Sequence, residues 1–125
     1  MFSDILALYS GQARQQVDEY LNGDRTNFSV QMPLSGTDFQ VKAWQAMMAI
    51  PYGQTRTYKQ IADQIGHPKA VRAVGAACGK NKWPIIVPCH RIVGANGLGG
   101  FAFGLEAKKA LLELESRMKS TSREA

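Results

Sequence analysis

Cysteine is scarce in this sequence, and long apolar runs are absent. Only Cys78 and Cys89 occur among 125 residues, and their surroundings lack the Cys or His spacing of a zinc site. The N-terminus lacks a basic leader, and no apolar run approaches the roughly 18 residues that span a bilayer. We therefore expect one soluble, cytoplasmic domain with free thiols rather than a disulfide scaffold, a zinc domain or a membrane protein.

Acidic residues are scarce in the middle of the chain. Residues 52–91 carry seven Lys or Arg and a single Asp, whereas residues 1–51 carry three basic and five acidic residues. Residues 92–125 carry five basic and four acidic residues, so the middle segment holds the excess behind the net charge of +5. Such a segment is typical of a polyanion-binding surface, although a solvated basic face gives the same count.

The first half of the chain contains two helix signals and one extended segment. The pattern predicts a short helix over 13–21 and an extended arm over 27–34. Thr37 is then a candidate N-cap for a helix whose apolar residues recur at helical spacing until residues 51–53 end it.

The basic segment, residues 52–91, predicts two short helices in succession. Thr57 and Gln60 fit a capping box, which opens a helix that Gly66 ends. Pro68 suits the first position of a second helix, which runs over 69–78. Two short helices joined by a tight turn predict a helix-turn-helix, whose second helix enters a DNA groove.

The second of these helices is rich in small residues. Arg72 is its only long side chain between Lys69 and Lys80, and Ala70 and Ala73 are typical of the rest. A major-groove reader needs several polar side chains, so this smooth surface favours a minor groove. A tightly packed core helix is the alternative.

A cysteine and a histidine are adjacent after an apolar run. The run over 85–87 predicts a short strand that delivers Cys89, and an Asn-Gly turn over 96–97 predicts a hairpin-like wing. A thiol with an ordinary pKa of about 8.5 needs a base or a cation to become a useful nucleophile, and His90 and Arg91 are both available. Otherwise Cys89 is a small buried hydrophobe beside a surface basic pair.

The last predicted helix, over 105–118, places one carboxylate among apolar residues. At 100° per residue, Glu115 falls between Leu111 and Leu112. A carboxylate there needs a partner, for which His90 is a candidate, unless it reaches solvent at the helix end.

With these features assembled, the chain resembles the catalytic C-terminal domain of the O6-alkylguanine-DNA alkyltransferases, the methylated-DNA–protein-cysteine methyltransferases. The resemblance spans roughly residues 33–115. Its motifs are Phe39-Gln40-Val41-Lys42-Ala43-Trp44, Ile50-Pro51-Tyr52-Gly53-Gln54-Thr55, Thr57-Tyr58, Pro68-Lys69-Ala70-Val71-Arg72-Ala73-Val74-Gly75, Asn81 and Ile86-Val87-Pro88-Cys89-His90-Arg91-Ile92-Val93.

The resemblance implies a suicidal transfer of the alkyl group from guanine O6 to Cys89. His90 would draw the thiol proton through a bound water and be supported by Glu115, while Asn81 would hold the loop near the cysteine. The damaged nucleotide would be flipped into a pocket, where the Tyr58 hydroxyl would bond to guanine N3.

The resemblance also implies which residues contact DNA and the flipped base. Arg72 would fill the gap in the duplex, Lys69, Lys80 or Lys82 would contact phosphates, and Ala70 and Ala73 would line the minor groove. The Val87 carbonyl, Phe101, Ala102 and Phe103 would line the base pocket, with Phe103 narrowing it against bulky adducts.

The expected fold is α/β and mostly helical, a winged helix-turn-helix with a short strand or hairpin wing. Residues 1–32 would be a remnant of or replacement for the family's N-terminal domain, 33–118 the catalytic and DNA-binding domain, and 119–125 a disordered tail. No zinc or other cofactor is expected. The partner would be duplex DNA bearing O6-alkylguanine, with no membrane contact, for a monomer in the cytoplasm and nucleoid, or in a nucleus.

Three other functions remain open at this point. An alkyltransferase-like sensor would flip the base without chemistry, but such sensors replace the cysteine that is present here. A helix-turn-helix regulator would need more base-reading side chains than the smooth helix offers. The third is a folded but inactive copy of the alkyltransferase domain, inactive because the family's N-terminal domain is missing.

Overall fold

The computed structural model describes the backbone of residues 1–124 and the side chains of residues 1–118. The fold is mostly helical, as predicted, with a short 3-10 turn over Cys89–Arg91. Two strands, β1 (Arg56–Thr57) and β2 (Ile92–Val93), pair in parallel. The helices are α1 (Ser3–Leu6), α2 (Gly11–Leu21), α3 (Asp38–Met48), α4 (Tyr58–Gln64), α5 (Val71–Gly79) and α6 (Leu105–Glu124).

Capping boxes fix the starts of α3 and α4, which confirms both predicted N-caps. The Thr37 hydroxyl accepts from the backbone N–H of Gln40, whose side chain accepts in return from Thr37. Thr57 and Gln60 repeat the arrangement. Because Thr57 also ends β1, the cap fixes the direction in which α4 leaves the small sheet.

Helices α4 and α5 form the predicted helix-turn-helix, but the start of α5 differs from the prediction. Pro68 does not open the helix, which begins at Val71. Residues 67–70 instead form a turn in which the N–H of Ala70 donates to the His67 carbonyl at 2.9 Å. The fixed φ of proline suits the second position of such a turn as well as it suits a helix start, which explains the difference.

The predicted strand over 85–87 is wrong. The segment is a turn closed by one bridge between Pro84 and Val87, and Ile85 has a φ of +77°. Prolines at both ends of the run remove backbone donors that a strand needs, and the buried Ile85 side chain holds the unusual backbone in place. The strand follows the cysteine instead, as β2. The wing is reduced to one antiparallel bridge between Gly94 and Gly97.

Two apolar clusters make the interior, and the loop around the cysteine belongs to both. The helix-turn-helix cluster combines α3, α4 and α5 with Val87, Cys89 and Ile92. The second cluster combines α1, α2 and α6 with Ile85 and Ile86. The Cys89 segment therefore lies where the N-terminal helices meet the helix-turn-helix.

The arm over 27–34 pairs with no strand among the described residues; the Gln16 side chain accepts from the Ser29 N–H at 3.0 Å. The other end of the chain differs from its prediction. Helix α6 continues past residue 118 to Glu124. The predicted disordered tail stays a prediction, since no side chain beyond 118 is described and residue 125 lies outside the described residues. None of the helices in the described chain has the length and apolar character to cross a membrane.

Candidate active site

Cys89 begins the 3-10 turn, and the side chain of Asn81 holds it in place. The Asn81 Nδ2 atom donates to the Val87 carbonyl at 2.9 Å and lies 3.2 Å from the Cys89 Sγ atom. The Asn81 Oδ1 atom accepts from the Trp83 N–H at 2.9 Å. One amide therefore ties both sides of the loop to the thiol, in the position that the resemblance implies for Asn81.

The resting state of Cys89 is the neutral thiol. Its side chain is only 6% exposed, and burial raises the pKa of Cys89. The hydrogen bond from Asn81 and the positive charge of Lys108 oppose that rise without overcoming it. A nucleophilic role for Cys89 would therefore require a base.

A buried ion-pair cluster lies behind the cysteine. The His90 Nε2 and Glu115 Oε2 atoms are 2.7 Å apart, and the two side chains are 0% and 1% exposed. Glu115 also accepts from Arg91 Nε at 2.9 Å, from the Gly53 N–H at 3.0 Å and from the Tyr20 hydroxyl. The partner expected for Glu115 is therefore confirmed, and three further donors join it.

The charges in this cluster define the protonation of His90. Burial raises the pKa of Glu115, but hydrogen bonds from His90 and Arg91 outweigh burial and bring that pKa down to about 2. An ionised carboxylate only accepts hydrogen bonds, so the His90 Nε2 atom carries a proton. Burial lowers the pKa of His90 and keeps the imidazole neutral. Its Nδ1 atom, buried and without a hydrogen-bond partner among the described residues, is then the free basic site.

Arg91 does not act on the thiol as the sequence suggested. Its side chain is 6% exposed, pairs with Glu115 and donates from Nη1 to the Ile50 carbonyl at 2.8 Å. The cation that affects the thiol is Lys108, which is fully buried on α6 and donates to the Gly100 carbonyl at 3.0 Å. Sequence reasoning missed Lys108, although Lys108 lies on the same helical face as Leu111 and Glu115.

Sequence reasoning also missed Tyr20. This tyrosine of α2 is fully buried beside the cluster, with its Oη atom 3.3 Å from His90 Nε2. No local pattern identifies it, because 95 residues separate it from Glu115.

A cavity of about 180 Å³ opens beside Cys89. Tyr58 lines it, with its hydroxyl accepting from the Gly100 N–H at 3.2 Å. Val87 and Phe103, which were expected in this pocket, are not among its lining residues; Phe103 packs on Phe101 at 5.8 Å between ring centroids and on the second apolar cluster. The lining residues are Tyr58, Gly75, Cys78, Gly79, Cys89, Gly100, Phe101 and Ala102.

Helix α5 combines a wall of this cavity with an exposed surface. Its inner residues Val74 and Ala77 are buried, so the alternative of a core helix holds for one face only. The expected DNA contacts Lys69, Arg72, Ala73, Lys80 and Lys82 are exposed, whereas Ala70 is half-buried.

The described residues contain no group of three or more His, Cys, Asp and Glu side chains arranged to hold a metal.

Fold and site together define a helix-turn-helix domain that presents a cysteine in a cavity, backed by a buried histidine and glutamate. Residues 38–117 match the family model described as 6-O-methylguanine DNA methyltransferase, DNA binding domain. The chain belongs to this family.

Curated relatives that match most of this chain are methylated-DNA–protein-cysteine methyltransferases by name. It is 55% identical over 108 residues to the methylated-DNA–protein-cysteine methyltransferase of Mycobacterium tuberculosis, which covers 86% of this chain and 65% of the relative. An inducible enzyme of the same name from Bacillus subtilis is 51% identical over 106 residues, covering 84% of this chain and 59% of the relative. The chain thus spans less than two thirds of the length of these two relatives.

Solved structures agree with the fold. Mycobacterium tuberculosis OGT in complex with DNA superposes with a TM-score of 0.83 at 51% identity, covering 86% of this chain and 66% of that one. Schizosaccharomyces pombe Atl1, in complex with damaged DNA containing O6-carboxymethylguanine, gives a TM-score of 0.58 at 32% identity, covering 66% and 79%.

Proposed function

We propose that this protein repairs duplex DNA by moving the methyl group of O6-methylguanine onto its own Cys89, once per molecule. The observation that carries the proposal is the position of Cys89, at a cavity on one side and next to the buried His90–Glu115 pair. The names of the curated relatives and the DNA in the OGT structure support the choice of reaction and partner.

In the proposed reaction, the thiol sulfur attacks the methyl carbon in line with the bond to O6. The S–C bond forms as the C–O6 bond breaks, and the bonding electrons of C–O6 remain on guanine. His90 Nδ1 takes the thiol proton through a bridging water, and Glu115 balances the imidazolium that forms. The Tyr58 hydroxyl, which lines the cavity, donates a hydrogen bond to guanine N3 and stabilises the negative charge on the leaving guanine, which then takes a proton from water. The thioether on Cys89 is stable, so the molecule is consumed.

The target carbon is reached by flipping the damaged nucleotide out of the duplex. The exposed, small-residue surface of α5 allows close approach in the minor groove, and Arg72 fills the space that the base leaves. Lys69, Lys80 and Lys82 are exposed around this helix and supply phosphate contacts that do not depend on sequence. Such a protein would act as a monomer on DNA in the cytoplasm or nucleoid.

Intact-mass measurement tests the proposal directly. The protein is incubated with duplex DNA containing one O6-methylguanine, and peptides are mapped for an added methyl group. We expect one methyl on Cys89, and none when Cys89→Ser is used. The matched variant Cys78→Ser, which changes the second cysteine of the same cavity, retains the transfer. Transfer that persists in Cys89→Ser would refute the proposal.

A second candidate function is damage recognition without chemistry, which the similarity to Atl1 bound to damaged DNA supports. The same experiment separates the two functions. A sensor binds the O6-methylguanine duplex selectively and gains no mass, whereas the proposed transferase gains one methyl group. The presence of Cys89 in the cavity favours the transferase.

A further inference from the structure

The N-terminal helix α2 contributes one side chain to the buried His90–Glu115 pair. Tyr20 is fully buried, donates from its hydroxyl to Glu115 Oε2, and has its oxygen 3.3 Å from His90 Nε2. We propose that Tyr20 is a positioning residue for the proton acceptor, setting how strongly Glu115 holds a protonated His90. This inference rests on the proposed function, and it gives residues 1–32 a part in the reaction.

The hydrogen bonds around Glu115 show why one hydroxyl affects His90. Oε2 accepts from Tyr20, from His90 Nε2 and from Arg91 Nη2 at 3.0 Å, while Oε1 accepts from Arg91 Nε and the Gly53 N–H. The two donors Tyr20 and His90 therefore share one oxygen. Each donor withdraws negative charge from that oxygen, so the hydroxyl weakens the attraction between Glu115 and a positive imidazolium.

The consequence is a histidine that stays neutral until it is used. A carboxylate beside an imidazole raises the pKa of the imidazole, which would protonate Nδ1 and leave no base for the thiol. Burial of His90 opposes this effect, and the Tyr20 hydrogen bond to Glu115 adds to the opposition. Tyr20 thus favours the state that accepts a proton.

The surroundings hold the Tyr20 ring in a fixed orientation. Its centroid is 5.8 Å from that of Phe28 and 6.1 Å from that of Tyr52, and the Tyr52 ring lies edge-on at 79°. Among the described residues, the other charged groups that shift the pKa of His90 are Glu115 and Lys108 from α6 and Arg91 from its own turn, and the Cys89 thiol precedes His90 in the chain. Tyr20→Phe removes the hydroxyl and changes no charge among them.

The test compares Tyr20→Phe with the matched variant Tyr52→Phe. The Tyr52 hydroxyl is also buried but has no hydrogen-bond partner among the described residues, so its loss controls for removing a buried oxygen. Single-turnover methyl transfer is measured across about pH 5 to 9. In Tyr20→Phe we expect the acidic limb of the rate profile to move up by about 0.5–1 pH unit, slowing transfer about 3–10-fold on that limb. Tyr52→Phe leaves the limb in place.

A second readout does not depend on activity. The protein has two histidines, and the exposed His67 serves as the reference when the His90 imidazole is titrated by NMR. We expect the His90 midpoint to rise in Tyr20→Phe and to fall when 3-fluorotyrosine, a more acidic phenol of nearly the same shape, replaces Tyr20. The fluorinated protein also decides the matter if Tyr20→Phe fails to fold.

The outcomes separate this inference from the proposed function. A wild-type protein that transfers no methyl group refutes the proposed function, while the His90 titration still shows whether Tyr20 controls the imidazole. A wild-type protein that transfers, together with an unchanged pH profile and His90 midpoint in Tyr20→Phe and in the 3-fluorotyrosine protein, overturns the role of Tyr20. A loss of stability with an unchanged midpoint would show that Tyr20 has only a structural role.

Discussion

His90 Nε2 and Glu115 Oε2 lie 2.7 Å apart, and their side chains are 0% and 1% exposed. The contact joins the 3-10 turn that begins with Cys89 to the last helix, 25 residues further along the chain. It fixes the proton of His90 on Nε2 and leaves Nδ1 as the basic atom. The same carboxylate neutralises Arg91, so Glu115 contributes to the stability of the fold and, in the proposed function, also to the basicity of His90.

The first prediction is that Glu115→Gln destabilises the fold in a pH-dependent way. The pKa of Glu115 is lowered from 4.5 to about 2, so its contribution to stability is present above pH 4.5 and is lost as pH falls toward 2. That difference corresponds to about 3 kcal/mol, in line with breaking a buried ion pair. Urea unfolding at pH 7 and near pH 3 measures it.

The control for this prediction is Glu113→Gln, two residues earlier in α6 and exposed. We expect the free energy of unfolding of this variant to stay within about 0.5 kcal/mol of the wild type at both pH values. If Glu115→Gln lowers the free energy of unfolding equally at pH 3 and pH 7, the result would contradict the charge argument and indicate an effect of packing alone.

The second prediction concerns Asn81 and the acidity of the cysteine. The Asn81 hydrogen bond lowers the pKa of Cys89 against the effect of burial, so Asn81→Ala should raise that pKa further. Alkylation by iodoacetamide, followed at Cys89 by peptide mass across pH, should show its midpoint at higher pH in the variant. The midpoint is diagnostic, because a loosened loop changes the rate through access alone.

Cys78 provides the internal reference for that experiment. Burial raises the pKa of Cys78 to about 12, so it should alkylate slowly in both proteins at pH 9. A Cys89 midpoint that stays in place or moves to lower pH in Asn81→Ala would show that Asn81 acts on the loop and not on the thiol.

Much of the local structure was predictable from the sequence, because the responsible interactions lie within a few residues. The capping boxes at Thr37 and Thr57 are complete within four-residue windows, and both helices begin where expected. The partner of Glu115 was predictable for a different reason. A carboxylate between apolar helix positions needs a donor, and His90 follows a buried run.

The errors arise where distant residues decide local structure. The apolar run over 85–87 gives the signal of a strand, but packing in the second cluster holds Ile85 at φ +77°. The sequence suggests that Arg91 is a surface cation, but in the structure Arg91 is neutralised by Glu115, 24 residues away. The position of Tyr20 depends on the docking of α2 against α6, which no local pattern encodes.

The third prediction is that Arg72→Ala slows transfer on duplex DNA far more than on single strands. Unstacking a base costs a few kcal/mol, and in the proposed function Arg72 offsets part of that cost by filling the gap, so we expect at least about a 10-fold loss on the duplex. Single strands have no such gap, and the loss there should be smaller. Single-turnover rates on both substrates measure the difference.

Arg14→Ala is the matched variant for Arg72, since it removes another exposed arginine, from α2 outside the basic segment. It should leave both rates near the wild-type values. Equal losses on duplex and single-stranded substrates in Arg72→Ala would mean that Arg72 supplies phosphate affinity and does not fill a gap.

The fourth prediction uses two glycines of one loop to test whether Tyr58 must stay in place. A Cβ atom at Gly99 would lie 2.5 Å from the Tyr58 hydroxyl, and Gly99 has a φ of +72° that disfavours alanine. Gly99→Ala should therefore displace Tyr58 from the cavity and slow methyl transfer about 10-fold or more, at a stability cost of about 1 kcal/mol. A Cβ atom at Gly97 meets nothing within 4 Å, so Gly97→Ala should transfer normally. Intact mass followed over time, with thermal unfolding of both variants, gives the comparison. Normal transfer by a folded Gly99→Ala protein would show that the Tyr58 hydroxyl is not needed at its present position.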